Sequence, residues 1–134
     1  MPTEPARAAR VLVVDDDPTL RSMLMLLLER EGFEPAAAGD VDQALSLLAG
    51  VTVEAVVTDL IMPGRSGLVL LAELRGRHPT VPAIAMTGSD SPALREAALV
   101  LGARVVLRKP FGLPALVDLL GPMTRVDDAA GAVL

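Results

Sequence analysis

Apolar residues in this chain come in two alternating kinds of segment. Short β-branched runs, such as VLVV at 11–14 and VEAVVT at 53–58, are separated by longer stretches whose apolar residues recur at helical spacing. Parallel strands need a crossover of a dozen or more residues, usually a helix, so this alternation predicts a parallel sheet covered by helices. Strands are expected at 11–14, 33–38, 53–58, 83–86 and 105–107. The first and third are the most apolar and belong in the middle, whereas Pro35 cannot donate to a ladder and sends the second to an edge.

The helices carry readable ends. Asp17-Pro18 reads as an N-cap followed by the first helical position, with Gly32 closing that helix. Asp40 is expected to cap a second helix whose Val41, Ala44, Leu45 and Leu48 share a face, and Ser66 a third through Leu68, Leu71 and Leu74. Ser91-Pro92 repeats the capping device, and Gly102 ends the fourth helix. The last, around 114–120, should stop at Gly121-Pro122. In the first helix Leu20, Met23, Leu24, Leu27 and Leu28 form the expected buried face. Met25 and Leu26 add either a docking surface or extra burial.

At 134 residues, such a chain makes one domain. Its 17 acidic against 12 basic residues give no electrostatic reason to expect binding to nucleic acid or to an anionic membrane. The absence of cysteine excludes disulfides and thiolate metal sites and fits a reducing compartment. The start lacks the apolar core of a signal peptide, and charge or proline interrupts every apolar run well short of a span; a cytoplasmic location is expected.

Several polar residues follow the carboxyl ends of predicted strands: Asp15 and Asp16, Asp59, Thr87 and Lys109. In an open parallel sheet those ends share one edge, where ligands bind. Each has an ordinary alternative. Asp15 or Asp16 could cap a helix, Asp59 could belong to the turn before Pro63-Gly64, and Thr87-Gly88 is common turn chemistry. Lys109 is the only lysine among the 12 basic residues, which points to a need for a compact ammonium, though a lone lysine also arises by chance. Taken together they carry more weight. Three converging carboxylates would repel one another unless a cation joined them, and a hard divalent ion such as Mg²⁺ suits an all-oxygen site. With a lysine and a hydroxyl beside it, the cleft could hold a phosphoryl group, and a carboxylate can itself be the nucleophile.

The ordered set VLVVDDDP, VVTDLIMPGRSG, AMTG and RKPF resembles the receiver domain of response regulators in bacterial two-component signalling, the CheY-like family. The likeness covers roughly 10–120. It implies an α/β, flavodoxin-like, doubly wound sheet of five parallel strands in the order 2-1-3-4-5, with helices on both faces. It divides the chain into an extension at 1–9, a receiver at 10–121 and a tail or linker at 122–134.

The resemblance also implies roles. Asp15 and Asp16 hold Mg²⁺, with Asp16 the direct ligand, while Asp17 is a helix cap. Asp59 accepts the phosphoryl group, and the backbone carbonyl of Ile61 completes the metal shell. Thr87 donates its hydroxyl to the phosphoryl group, and Lys109 pairs with its oxygens. Pro110 is similar to the family's cis proline. Ile61 and Ser89 flank the phosphoryl position and should tune its hydrolysis. The sequence departs from the family at Val106, where many receivers carry an aromatic residue that rotates inward when the threonine moves.

The implied partners are a sensor histidine kinase or histidine phosphotransfer protein, together with a downstream target or fused output domain. The implied function is a signalling phosphoacceptor that promotes only its own phosphorylation and dephosphorylation and so is not an enzyme in the turnover sense. The alternative is a phosphorylation-independent interaction module on the same fold. A freestanding Mg²⁺ phosphohydrolase would need a Gly-rich phosphate loop, a second histidine or a lid, and none is visible in the sequence. His78, the lone histidine, reads as a solvated residue near a helix end. Arg104 and Arg108 read as solvated charges at the edge of the last strand.

Overall fold

The computed structural model describes residues 8–124. Strands and helices alternate along the chain: β1 (Arg10–Val14), α1 (Pro18–Arg30), β2 (Glu34–Ala38), α2 (Val41–Gly50), β3 (Ala55–Asp59), α3 (Gly67–Arg77), β4 (Ala83–Thr87), α4 (Pro92–Val100), β5 (Ala103–Arg108) and α5 (Leu113–Thr124). All neighbouring strands pair in parallel, in the order β2-β1-β3-β4-β5. This is the expected flavodoxin-like sheet, with the Pro35 strand on an edge and the two most apolar strands inside.

Successive side chains of a strand point to opposite faces, so each inner strand feeds two cores. Leu12, Val14, Val56 and Ala85 pack with Val41, Ala44 and Leu48 of α2, Leu70 and Leu74 of α3, and Ala98 of α4. Val11, Val13, Ala55, Val57, Ile84 and Met86 pack with Leu24 and Leu28 of α1 and with Leu116 and Leu120 of α5. Burial on both faces explains why these strands read as continuous apolar runs rather than alternating ones. Because every neighbouring pair is parallel, each crossover returns to the same end and the carboxyl ends of the strands line up.

The helix ends follow their sequence signals. Asp17 accepts from the amides of Thr19 and Leu20, Asp40 from Gln43, Ser66 from Leu68 and Ser91 from Leu94. At the end of α1, Gly32 takes a φ of 92°. From there its amide donates to the Glu29 carbonyl and that of Phe33 to the Leu28 carbonyl, a Schellman closure that favours glycine.

Two expectations need correction. Met23 does not join the buried face of α1 but is 50% exposed; the face against the sheet is narrower, following the four-residue spacing of Leu20, Leu24 and Leu28. Leu26 is also exposed, and Met25 is half-buried. Nor does α5 stop at Gly121-Pro122; it runs to Thr124. A proline crowds the N–H and Cβ of the residue before it in a helix, and Gly121, with no Cβ, lessens that crowding. The Thr124 hydroxyl donates to the carbonyls of Leu120 and Gly121, which meets acceptors at the helix end. The expected tail therefore starts as helix, and its remainder, like most of the 1–9 extension, lies outside the described residues.

The Asp17 side chain is occupied with the first turn of α1, so Asp17→Ala is expected to cost about 1 kcal/mol of stability. Urea unfolding of the two proteins measures it. An unchanged midpoint would mean that the cap contributes nothing.

Candidate functional site

The register of the sheet decides which side chains meet. Val14 lies opposite Thr58, Asp59 opposite Met86, and Thr87 opposite Arg108. The residues that follow are held by further backbone bonds: the Asp15 amide donates to the Ala38 carbonyl at 3.2 Å, that of Leu60 to Met86 at 2.9 Å, and that of Lys109 to Thr87 at 2.8 Å. The peptide between Lys109 and Pro110 is cis. Asp15, Asp59, Thr87 and Lys109 thus share one edge.

Lys109 Nζ donates to Asp15 Oδ2 at 2.9 Å and to Asp59 Oδ2 at 3.0 Å, reaching over the end of β4 to do so. Asp15 is fully buried and Asp59 nearly so, while Asp16 is exposed. The other oxygens have backbone partners: the amide of Asp17 donates to Asp15 Oδ1 at 2.9 Å, and that of Ile61 to Asp59 Oδ1 at 3.3 Å. Asp16 makes no hydrogen bond through its carboxylate among the described residues, so both its oxygens are available.

Burial and charge act unevenly on this group. Loss of water around Asp59 raises its carboxyl above the ordinary value; the Lys109 hydrogen bond and charge pull it back only in part, and Asp15 pushes it up further. Burial also works against the Lys109 ammonium, but the bonds to Asp15 and Asp59 more than offset it, so Lys109 is held protonated above its ordinary range. One ammonium shared between two carboxylates is itself well compensated, whereas each carboxylate receives only part of it.

One oxygen from each of Asp15, Asp16 and Asp59 lies within 4.8 Å of the others. The donors are all hard carboxylate oxygens, with no nitrogen or sulfur among them, which fits Mg²⁺ rather than a softer ion. Added positive charge there would relieve the repulsion that Lys109 leaves.

On the other side of the edge lies a series of hydroxyls. The Ser89 amide donates to Thr87 Oγ1 at 3.0 Å, that of Ser91 to the Ser89 hydroxyl at 3.1 Å, and that of Leu94 to the Ser91 hydroxyl at 3.1 Å. Thr87 is buried and keeps a hydroxyl hydrogen to donate. Val106 is buried against the α2, α3 and α4 side of the sheet, and no aromatic residue takes its place there. Its carbonyl accepts from the Arg95 guanidinium at 3.2 Å, and Arg108 pairs with Asp90, so α4 and the loop before it are tied to β5. Ile61 is 58% exposed beside Asp59. His78 is half-buried at the end of α3, away from this edge, and Arg104 is exposed.

Sequence reasoning missed Gly67. A Cβ there would come within 2.1 Å of the Asp59 carbonyl oxygen and 2.9 Å of Leu60 Cα. The loop after β3 folds back so tightly that α3 begins on the last peptide of the strand, with the Gly67 amide donating to the Leu60 carbonyl at 3.0 Å and the Ser66 hydroxyl to the same oxygen at 3.1 Å. The available signal was a poor helix former directly after a cap.

Comparison with known proteins agrees with this geometry. Residues 11–121 match the family model described as response regulator receiver domain. The chain is 38% identical over 125 residues to the response regulator MprA of Mycolicibacterium vanbaalenii, covering 91% of this chain and 54% of that protein. It spans about half the length of several of the curated relatives it matches. Among solved structures it is similar to a response regulator receiver domain from Clostridium thermocellum (TM-score 0.84, 27% identity, 91% of this chain and 98% of that one). It is also similar to the response regulator TrrA of Thermotoga maritima, solved in complex with Mg²⁺-BeF (TM-score 0.75, 29% identity, 86% and 98%).

Two outcomes follow from the site. Gly67→Ala should destabilise the fold by about 1–3 kcal/mol, because backbone must move to admit the methyl group; an unchanged urea midpoint would contradict the close approach. Asp59 has a raised pKa, so its ionisation costs stability as pH rises through the folded value, and the cost is absent below the ordinary value of 3.8, where both states hold the proton. In metal-free buffer Asp59→Asn should therefore raise the urea midpoint at neutral pH, with the gain vanishing in acid. A gain that persists in acid would show that charge is not its source.

Proposed function

This chain belongs to the response regulator receiver family, a signalling module, and on that premise we propose that Asp59 accepts a phosphoryl group from a phosphohistidine. The observation that carries the reading is the Lys109 ammonium bonded at once to Asp15 and Asp59 beside the free carboxylate of Asp16. A carboxylate oxygen of Asp59 attacks phosphorus, the P–N bond to the donor imidazole breaks, and a P–O bond to Asp59 forms. The imidazole leaves with the electron pair and regains its proton from water. Catalysis of such a transfer is mainly positioning and charge neutralisation.

Asp16, Asp59 and the Ile61 carbonyl would hold Mg²⁺, with Asp15 behind them. When bound, the ion supplies positive charge to the oxygens of the transferred group. Lys109 leaves Asp59 Oδ2 for a phosphoryl oxygen while keeping Asp15, and Thr87 donates its hydroxyl to another. Water attacking phosphorus later releases phosphate and restores Asp59, and Ile61 and Ser89 control its approach. The chain thus promotes its own modification and its reversal.

The response starts at Thr87. Movement of its hydroxyl pulls on the Ser89 amide and, through the Ser89 and Ser91 hydroxyls, on the start of α4. This route needs no aromatic at Val106 and biases an equilibrium between two placements of the β4 to α4 loop. A histidine kinase or histidine phosphotransfer protein in the cytoplasm is the donor, and a separate target or a fused output domain receives the signal. Residues 10–121 form the receiver unit. No helix among the described residues is long and apolar enough to cross a membrane.

Intact mass after incubation with acetyl phosphate or phosphoramidate tests the reading. A single Mg²⁺-dependent phosphoryl adduct is expected on the wild type and none on folded Asp59→Ala. An adduct that persists in the variant would refute the assignment, and no adduct on the wild type would favour a phosphorylation-independent interaction module.

A further inference from the structure

Asp16 is the one member of the acidic group whose carboxylate has no hydrogen-bond partner among the described residues, so its aim depends on the backbone that carries it. The peptide joining Asp15 to Asp16 is fixed from its carbonyl end. Arg21, one turn into α1, reaches back so that its Nη1 donates to the Asp15 carbonyl oxygen at 2.7 Å. The Asp15 amide is meanwhile held by Ala38, and its carboxylate by Lys109 and the Asp17 amide. With the plane of the peptide set, the Asp16 amide and Cα are placed, which restricts the directions its side chain can take.

Gly39 makes room for this contact. A Cβ at that position would lie 3.2 Å from Arg21 Nη1, closer than a Cβ ordinarily comes to another atom. Its φ is not in the positive range, where among the described residues only Gly32, Gly64 and Gly102 fall. Backbone conformation therefore does not call for glycine at this site, and space does. The Gly39 amide donates to Gln43 Oε1 at 2.8 Å, which keeps the loop after β2 against the guanidinium.

We infer that Arg21 is a positioning residue for the metal site, acting through the Asp15 carbonyl to aim Asp16, and that Gly39 is its seat. This rests on the Mg²⁺ site proposed above. Arg21 donates to the Asp15 carbonyl and not to a carboxylate of the acidic group, so as a positioning residue its effect is expected on Mg²⁺ affinity as well as on stability.

The test is an NMR titration of the full 134-residue chain with MgCl₂. Kd is read from the amides around Asp16 and Asp59, alongside urea midpoints in EDTA. Arg21→Gln is expected to weaken Mg²⁺ binding about tenfold, the lower end of what supporting residues contribute to metal sites. Arg21→Lys, which keeps a donor of similar reach, should recover part of the loss. Gly39→Ala displaces the guanidinium by a few tenths of an ångström and should weaken binding less, and its effect should vanish in the Arg21→Gln background, because both act through one contact. Equal Kd for wild type and folded Arg21→Gln would overturn the inference, as would a Gly39→Ala effect of the same size in both backgrounds. If Arg21→Gln does not fold, Arg21→Lys and Gly39→Ala decide, and unchanged Kd in both overturns it. A wild type that shows no Mg²⁺-dependent shifts would instead refute the underlying metal site.

Discussion

A single ammonium shared between two buried carboxylates ties the functional edge together. Lys109 comes from the edge strand β5, and its bonds to Asp15 and Asp59 cross β4 to reach the centre of the sheet. Buried ion pairs are poor sources of stability, because dehydrating the charges costs about as much as their attraction returns. The raised Asp59 carboxyl shows that here the return is incomplete. An all-apolar edge would fold more easily. What this arrangement provides is an under-compensated carboxylate beside a fixed cation, with an exposed second carboxylate next to it, ready for a metal ion and an anionic group.

Much of this was legible in the sequence because it depends on local rules. Continuous apolar runs require burial on both faces, caps and prolines mark helix starts, and the parallel order brings residues after the strands to one edge. Asp15, Asp59, Thr87 and Lys109 meet for that reason. Contacts set by the close approach of distant backbone were not legible. Gly67 matters because α3 begins against the Asp59 carbonyl, and Gly39 because a guanidinium from another element occupies the space of its missing side chain. Neither fact has a periodicity. Met23 was misjudged because helical spacing alone does not say how wide the buried stripe is. The length of α5 was misjudged because Gly121, with no Cβ, lessens one of the clashes by which proline stops a helix.

The hydroxyl series from Thr87 to Ser91 links the end of β4 to the beginning of α4 by a run of side-chain hydrogen bonds. Side-chain bonds to nearby amides compete with regular structure, which is why such residues gather in loops and at caps. Arg95 and Arg108 resist this loop from the other side by holding it and α4 to β5. The Arg108–Asp90 pair is exposed, and exposed ion pairs contribute about 0–1 kcal/mol. In the function proposed above, this loop shifts when a new anion takes the Thr87 hydroxyl while Val106 stays packed.

The most direct measurement is a crystal structure of the protein with Mg²⁺ and beryllofluoride, a stand-in for the phosphoryl group. The expected structure has beryllium bonded to Asp59, Mg²⁺ on Asp16, Asp59 and the Ile61 carbonyl, Lys109 moved onto a fluorine, and Thr87 turned toward another with Ser89 following. Beryllofluoride on a different carboxylate, or bound with Lys109 still closed on Asp59, would contradict it.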